Sequence, residues 1–135
     1  MGMGKDKGYM KRLIVDLDET ITLSAEGGYP QAIPNRPLIA KLARYRSLGF
    51  TIVIHTSRNM NTFSGNVGMI NVHTLPVILS WLAEHDVPFD EVHVGKPWCG
   101  KAGFYVDDRA IRPSEFLKYS LDEISEILMA EKGAH

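Results

Sequence analysis

The chain has 135 residues, 44% of them hydrophobic and 23% charged, the proportions of one globular domain with a real core. A formal net charge of -1 leaves no basic field to hold nucleic acid non-specifically. The single cysteine, Cys99, excludes an intrachain disulfide and a thiolate metal cluster.

Residues 1–9 are polar and glycine-rich and lack the apolar core of a signal peptide. They are expected to be flexible, ahead of a single domain over 10–135. No apolar run approaches the ~18 residues of a membrane span, so no membrane partner and a cytoplasmic location are expected. Leu13-Ile14-Val15 is a short apolar run that predicts a buried strand. It stops at Asp16, with Asp18 and Thr20 at alternate positions beyond. Carboxylates just past a buried strand are costly unless paired, with a cation for example, or retained for catalysis. Residues 21–34 carry turn chemistry around Gly27-Gly28 and suggest a small hairpin.

Asn35-Arg36-Pro37 predicts a helix start, with Asn35 as the N-cap and Gly49 as the stop. Residues 50–54 predict a second strand, ending in His55-Thr56-Ser57-Arg58. Residues 59–73 show no period and read as a loop over the strand ends. Thr74 is the expected cap of a second helix, which Val87-Pro88 ends. Residues 91–94 predict a third strand, followed by Gly95-Lys96-Pro97, and residues 103–106 a fourth, followed by Asp107-Asp108. Ser120-Leu121-Asp122-Glu123 is a capping box opening a last helix.

Strands alternating with helices predict an α/β fold, a Rossmann-like three-layer sandwich around a mainly parallel sheet. Ligands in such folds sit outside the carboxyl ends of the strands. Asp16, Asp18, Thr56, Ser57, Lys96, Asp107 and Asp108 each follow a predicted strand and should meet there. Carboxylates suit a hard cation such as Mg²⁺. A lysine and a hydroxyl suit phosphoryl oxygens. One carboxylate is able to attack phosphorus, and a second, two residues on, to move the proton. The constellation predicts phosphoryl transfer. In a receiver domain the acidic pair comes first and the phospho-acceptor later; here the DxDxT order is the reverse.

With these residues in view, the chain resembles the haloacid dehalogenase superfamily. The matches are Asp16-Leu17-Asp18-Glu19-Thr20, Thr56, Lys96 before Pro97, and Asp107-Asp108 after Tyr105-Val106. More narrowly, 65–68, 73–76, 95–100 and 107–113 resemble small bacterial phosphatases labelled as capsule or surface-polysaccharide biosynthesis proteins. The resemblance implies Asp16 as nucleophile and metal ligand, and Asp18 as acid/base with its main-chain carbonyl on the metal. It implies Thr56 as phosphoryl binder, Lys96 as charge balance, and Asp107 and Asp108 as metal ligands for Mg²⁺. Superfamily dehalogenases lack the second Asp, so Asp18 implies phosphate chemistry. Glu19 departs from the common pattern, in which many members have Gly.

The gaps between motifs leave no room for a cap domain of at least ~50 residues, so a capless, open site is expected. The 59–73 loop, through Asn61 and Asn66, is expected to select the leaving group together with Trp98 and, in a homo-oligomer, a neighbouring subunit; whether the loop or that subunit also covers the site is left open by the sequence. Arg58 and Arg109 flank the site and serve either an anionic substrate or structural ion pairs. His55, His73, His85 and His93 lack a zinc-binding spacing and read as structural. The expected activity is Mg²⁺-dependent hydrolysis of a phosphorylated small molecule, a sugar phosphate or related metabolite, through an aspartyl-phosphate. A nucleic-acid 3′-phosphatase and a non-catalytic binding module with the same fold are the alternatives.

Overall fold

The computed structural model describes residues 10–24 and 29–134. The expected flexible segment 1–9 and the Gly27-Gly28 turn lie outside the described residues. The described chain falls into two compact units, one ending at Trp98 and one beginning at Cys99.

The first unit is built on a parallel three-stranded sheet in the order β1-β4-β5, with β1 at Arg12–Val15, β4 at Thr51–His55 and β5 at Glu91–His93. Register is set by pairs such as Val15 with Ile54 and His55 with His93, so these strands end close together at their carboxyl ends. Ile52, Val53 and Ile54 are buried, as expected of a parallel strand whose apolar run is continuous rather than alternating. After β1 comes a short antiparallel pair, β2 (Thr22–Leu23) with β3 (Ile33–Pro34), in the stretch where turn chemistry suggested a hairpin. Among the described residues nothing larger is inserted there, and only two helices and β5 separate Thr56 from Lys96.

Helix α1 spans Arg36–Ser47. Asn35 Oδ1 accepts from Leu38 N at 3.4 Å as the N-cap, and Gly49 beyond the end adopts φ +98°. Leu38, Ile39, Leu42 and Tyr45 recur at helical spacing and are buried. Asp90 fastens this helix to the sheet: its carboxylate takes Arg46 Nη2 at 2.6 Å and the main-chain N–H of Ile52 at 2.8 Å.

The expected loop over 59–73 needs correction. Its second half is a helix, α2 at Val67–His73, opened by Asn66, whose Oδ1 accepts from Met69 N at 3.1 Å. Only Ile70 of this helix is buried, so the sequence carries almost no period to detect. Helix α3 follows at Leu75–Glu84 and buries Ile78, Trp81 and Leu82. Thr74 stands at its N-cap position without making the expected capping bond. Its hydroxyl instead donates to Asn59 Oδ1 at 2.7 Å, pinning the turn after β4. Among the described residues no single helix is long and apolar enough to cross a membrane.

The second unit holds α4 at Pro113–Lys118 and α5 at Leu121–Glu131. The Ser120/Glu123 capping box of α5 is present with both bonds, at 2.9 and 3.2 Å. The expected fourth strand over 103–106 does not form: Phe104 and Val106 are 79% and 89% exposed and the segment carries no ladder. A β-branched and aromatic run predicts a strand only where a neighbour covers it. Helix α4, six residues long, gave no period to read.

Candidate functional site

The site of the first unit is assembled by two adjacent parallel strands and the segment after β5. Asp16 and Asp18 leave the end of β1, Thr56 and Arg58 the end of β4, and Lys96 follows β5. The turn after β1 is tight: the N–H groups of Thr20, Ile21 and Thr22 all approach Leu17 O, and Leu17 itself is buried. Glu19 in that turn has φ +61°, the left-handed region that costs a side-chain-bearing residue about 1 to 2 kcal/mol. This is why glycine suits the position, and Ser24 Oγ donates to the Glu19 carboxylate.

Lys96 Nζ lies 3.7 Å from Asp16 Oδ1. Asp16 is partly buried, its side chain 40% exposed. Burial pushes its carboxyl above the usual carboxylate range, while Lys96 and the main-chain N–H of Leu17 pull it back.

Thr56 ties the constellation together and is 1% exposed. Its N–H donates to His93 O at 3.0 Å, its carbonyl accepts from Lys96 N at 3.1 Å, and its Oγ1 accepts from Arg58 N at 3.0 Å. Because the hydroxyl oxygen accepts from Arg58, its own proton remains available for another acceptor. Gly95, just before Lys96, has φ +87°, and a Cβ there would stand 3.1 Å from Val67 Cγ2 at the start of α2.

Asp18 is held by a two-pronged ion pair. Arg58 Nη2 reaches Asp18 Oδ1 at 2.7 Å and Nε reaches Oδ2 at 3.1 Å, while Thr22 Oγ1 donates to Oδ1 at 3.2 Å. The Asp18 side chain is 33% exposed. Arg58 is buried, its guanidinium carbon 4.0 Å from the centroid of the Tyr29 ring, and among the described residues its Nη1 has no hydrogen-bond partner. An unsatisfied buried donor costs about 1 to 3 kcal/mol.

The structure therefore brings Asp16, Asp18, Thr56, Arg58 and Lys96 together. Ser57 follows Thr56 with its main-chain carbonyl accepting from Met60 N. Asn61 is exposed, Asn66 caps α2, and Trp98 closes the first unit about half exposed. Asp107 and Asp108 belong to the second unit and are exposed, with Asp107 Oδ1 accepting from Arg109 N at 2.8 Å. Of the histidines, His93 Nε2 lies 2.8 Å from Glu91, and His73 stacks with Phe63. Among the described residues no three His, Cys, Asp or Glu side chains gather into a metal cluster. Sequence reasoning missed Thr22 and Tyr29: both precede the first predicted helix, and only the folded hairpin brings them to Asp18 and Arg58.

No known family profile matches the chain, and no curated protein does. Among solved structures, a chain of the Pnkp1/Rnl/Hen1 complex is 17% identical, with a TM-score of 0.47 over 65% of this chain and 29% of that one. A D,D-heptose 1,7-bisphosphate phosphatase from B. bronchiseptica, complexed with magnesium and phosphate, is 18% identical. Its TM-score is 0.43 over 70% of this chain and 56% of that one. At such identity and fit neither likeness assigns a function. A crystal structure of a protein from Vibrio cholerae is 55% identical, covers 90% of this chain and 99% of its own, and fits with a TM-score of 0.88. The chain belongs to the same family as this Vibrio cholerae protein.

Proposed function

We propose that the chain hydrolyses phosphate monoesters, with Asp16 as nucleophile and Asp18 as acid/base. The observation that carries the reading is Lys96 Nζ at 3.7 Å from Asp16 Oδ1, with Asp18 two residues on and Thr56 at the end of the neighbouring strand. A carboxylate beside a fixed cation and a buried hydroxyl suits attack on an anionic phosphoryl group.

In the first half-reaction an Asp16 oxygen attacks phosphorus, the bond from phosphorus to the leaving oxygen breaks, and that oxygen takes the proton of Asp18. Lys96 and the Thr56 hydroxyl hold the remaining phosphoryl oxygens. In the second half-reaction water attacks phosphorus and gives a proton to Asp18, and the bond to Asp16 breaks. Phosphate leaves and both aspartates return to their starting state.

Mg²⁺ is the cofactor that the resemblance to the haloacid dehalogenase superfamily implies, and the donors in the first unit fit it. Asp16 offers a hard, part-exposed carboxylate. The Asp18 carboxylate is engaged by Arg58 and Thr22, which leaves its main-chain carbonyl as its donor. Magnesium commonly takes one or two carboxylates and fills its shell with waters and substrate phosphate. When bound, it would offset the charge of the phosphoryl group facing Asp16.

The substrate class we propose is a phosphorylated sugar or related metabolite, supported by the subgroup resemblance and by the lack of a basic field. The test is phosphate release from a panel of sugar phosphates, aryl phosphates and a 3′-phosphorylated oligonucleotide. Release from a sugar phosphate should require Mg²⁺ after chelation and vanish in Asp16→Asn. Release that survives either change refutes the mechanism, and preference for the oligonucleotide refutes the substrate class.

A further inference from the structure

We infer that Arg58 is the positioning residue of Asp18, with Thr22 and Tyr29 completing the frame; the inference rests on the acid/base role proposed for Asp18. A carboxylate presents about four lone-pair sites. Arg58 Nε and Nη2 and Thr22 Oγ1 occupy three, at 3.1, 2.7 and 3.2 Å. One site is left, which is what a group needs if it is to pass a single proton to one leaving oxygen and take one from one water. The planar fork also fixes the rotation of the carboxylate, which one hydrogen bond would not.

The arrangement is poorly suited to stability. Buried ion pairs are weak stabilisers. This one is lopsided: Arg58 is 4% exposed, while the Asp18 side chain reaches solvent. Arg58 Nη1 is buried and, among the described residues, has no hydrogen-bond partner, which adds cost rather than stability. The guanidinium is instead held from outside its hydrogen bonds. Tyr29 lies against it at 4.0 Å, and the Arg58 N–H is locked to Thr56 Oγ1 at 3.0 Å. The same threonine is the proposed phosphoryl binder. One short turn after β4 thus sets both the phosphoryl contact and the orientation of the proton donor.

The test uses the leaving group as the probe. An alkyl phosphate needs its leaving oxygen protonated, whereas 4-nitrophenyl phosphate departs without help. Proton transfer of this kind is worth ~10² to 10⁴ in rate. In Arg58→Ala, kcat/KM for the alkyl ester should fall at least about tenfold further than for the nitrophenyl ester. Added guanidinium ion should restore part of the alkyl rate, and Arg58→Lys, which keeps charge without the fork, should recover little. Thr22→Val, an isosteric change at a buried site, supplies the same comparison if Arg58→Ala does not fold, with a smaller but equally selective loss. Equal losses on both esters without rescue by guanidinium would overturn the inference and make Arg58 structural. That outcome is separable from failure of the proposed function, in which the unaltered protein releases no phosphate or Asp16→Asn still does.

Discussion

Replacing Thr56 by Val and by Ser separates its two jobs. The side chain is almost wholly buried, and its Oγ1 is the acceptor for the Arg58 N–H at 3.0 Å. Thr56→Val keeps the volume but leaves that N–H without an acceptor, a cost of about 1 to 3 kcal/mol. Thr56→Ser keeps the hydroxyl and loses one buried methyl, about 1 kcal/mol with its cavity. For a chain of this size 1 kcal/mol moves Tm by roughly 3 to 5 °C. Thermal unfolding should therefore show a small drop for Ser and an equal or larger one for Val. Turnover should divide them far more sharply. Val removes a donor to the developing phosphoryl charge, a loss of ~10² to 10³ in kcat. Ser keeps the donor and most of the activity, and Ser57→Ala changes little. Full turnover in Thr56→Val, or a loss in Thr56→Ser as deep as in Thr56→Val, would refute the assignment of the hydroxyl.

Asp90→Asn should destabilise the fold by about 1 to 2 kcal/mol at pH 7, because the carboxylate's bonds to Ile52 N–H and Arg46 are charge-assisted. Those same bonds hold the Asp90 carboxyl below its ordinary value, so its contribution is present above pH 3.8 and disappears as pH falls through the lowered value. Acid unfolding of Asp90→Asn should accordingly be flatter over that window, and an unchanged acid limb would remove the argument. Asp16 carries the opposite sign: burial raises its carboxyl, and the proposed nucleophile must be ionised, so activity should fail on acidification at higher pH than an ordinary aspartate would. Lys96→Met removes a charge that opposes the rise, and the acid limb of its residual activity should lie higher still. Glu19→Gly should leave stability unchanged or raise Tm by a few degrees, since relief of about 1 kcal/mol in the left-handed turn competes with the added chain entropy of glycine.

The sheet and the cluster around Asp16 were legible because each residue follows an apolar run, and a parallel sheet gathers such ends. Asn35 and Ser120 were legible as caps because their bonds are local. The helix at Val67–His73 was not, because Gly68, Val67 and Val72 disfavour helix and Ile70 alone is buried. Its stability comes from the Asn66 cap and from packing with α3, which no short window contains. Phe104-Tyr105-Val106 misled in the other direction: composition suited a strand, while burial depends on a neighbour the sequence does not specify. The pairing of Arg58 with Asp18 spans 40 residues, and whether such an arginine meets substrate or carboxylate is decided by geometry alone.

The glycine before Lys96 carries a mechanical consequence. Handedness disfavours other residues at position 95, and a Cβ there would also ask Val67 Cγ2, at the start of α2, to give way by a few tenths of an ångström. The amide of that lysine is tied in turn to Thr56 O. The turn that follows β4 and the lysine that follows β5 are therefore tied together, so a side chain placed at position 95 would strain the backbone next to the charge beside the proposed nucleophile.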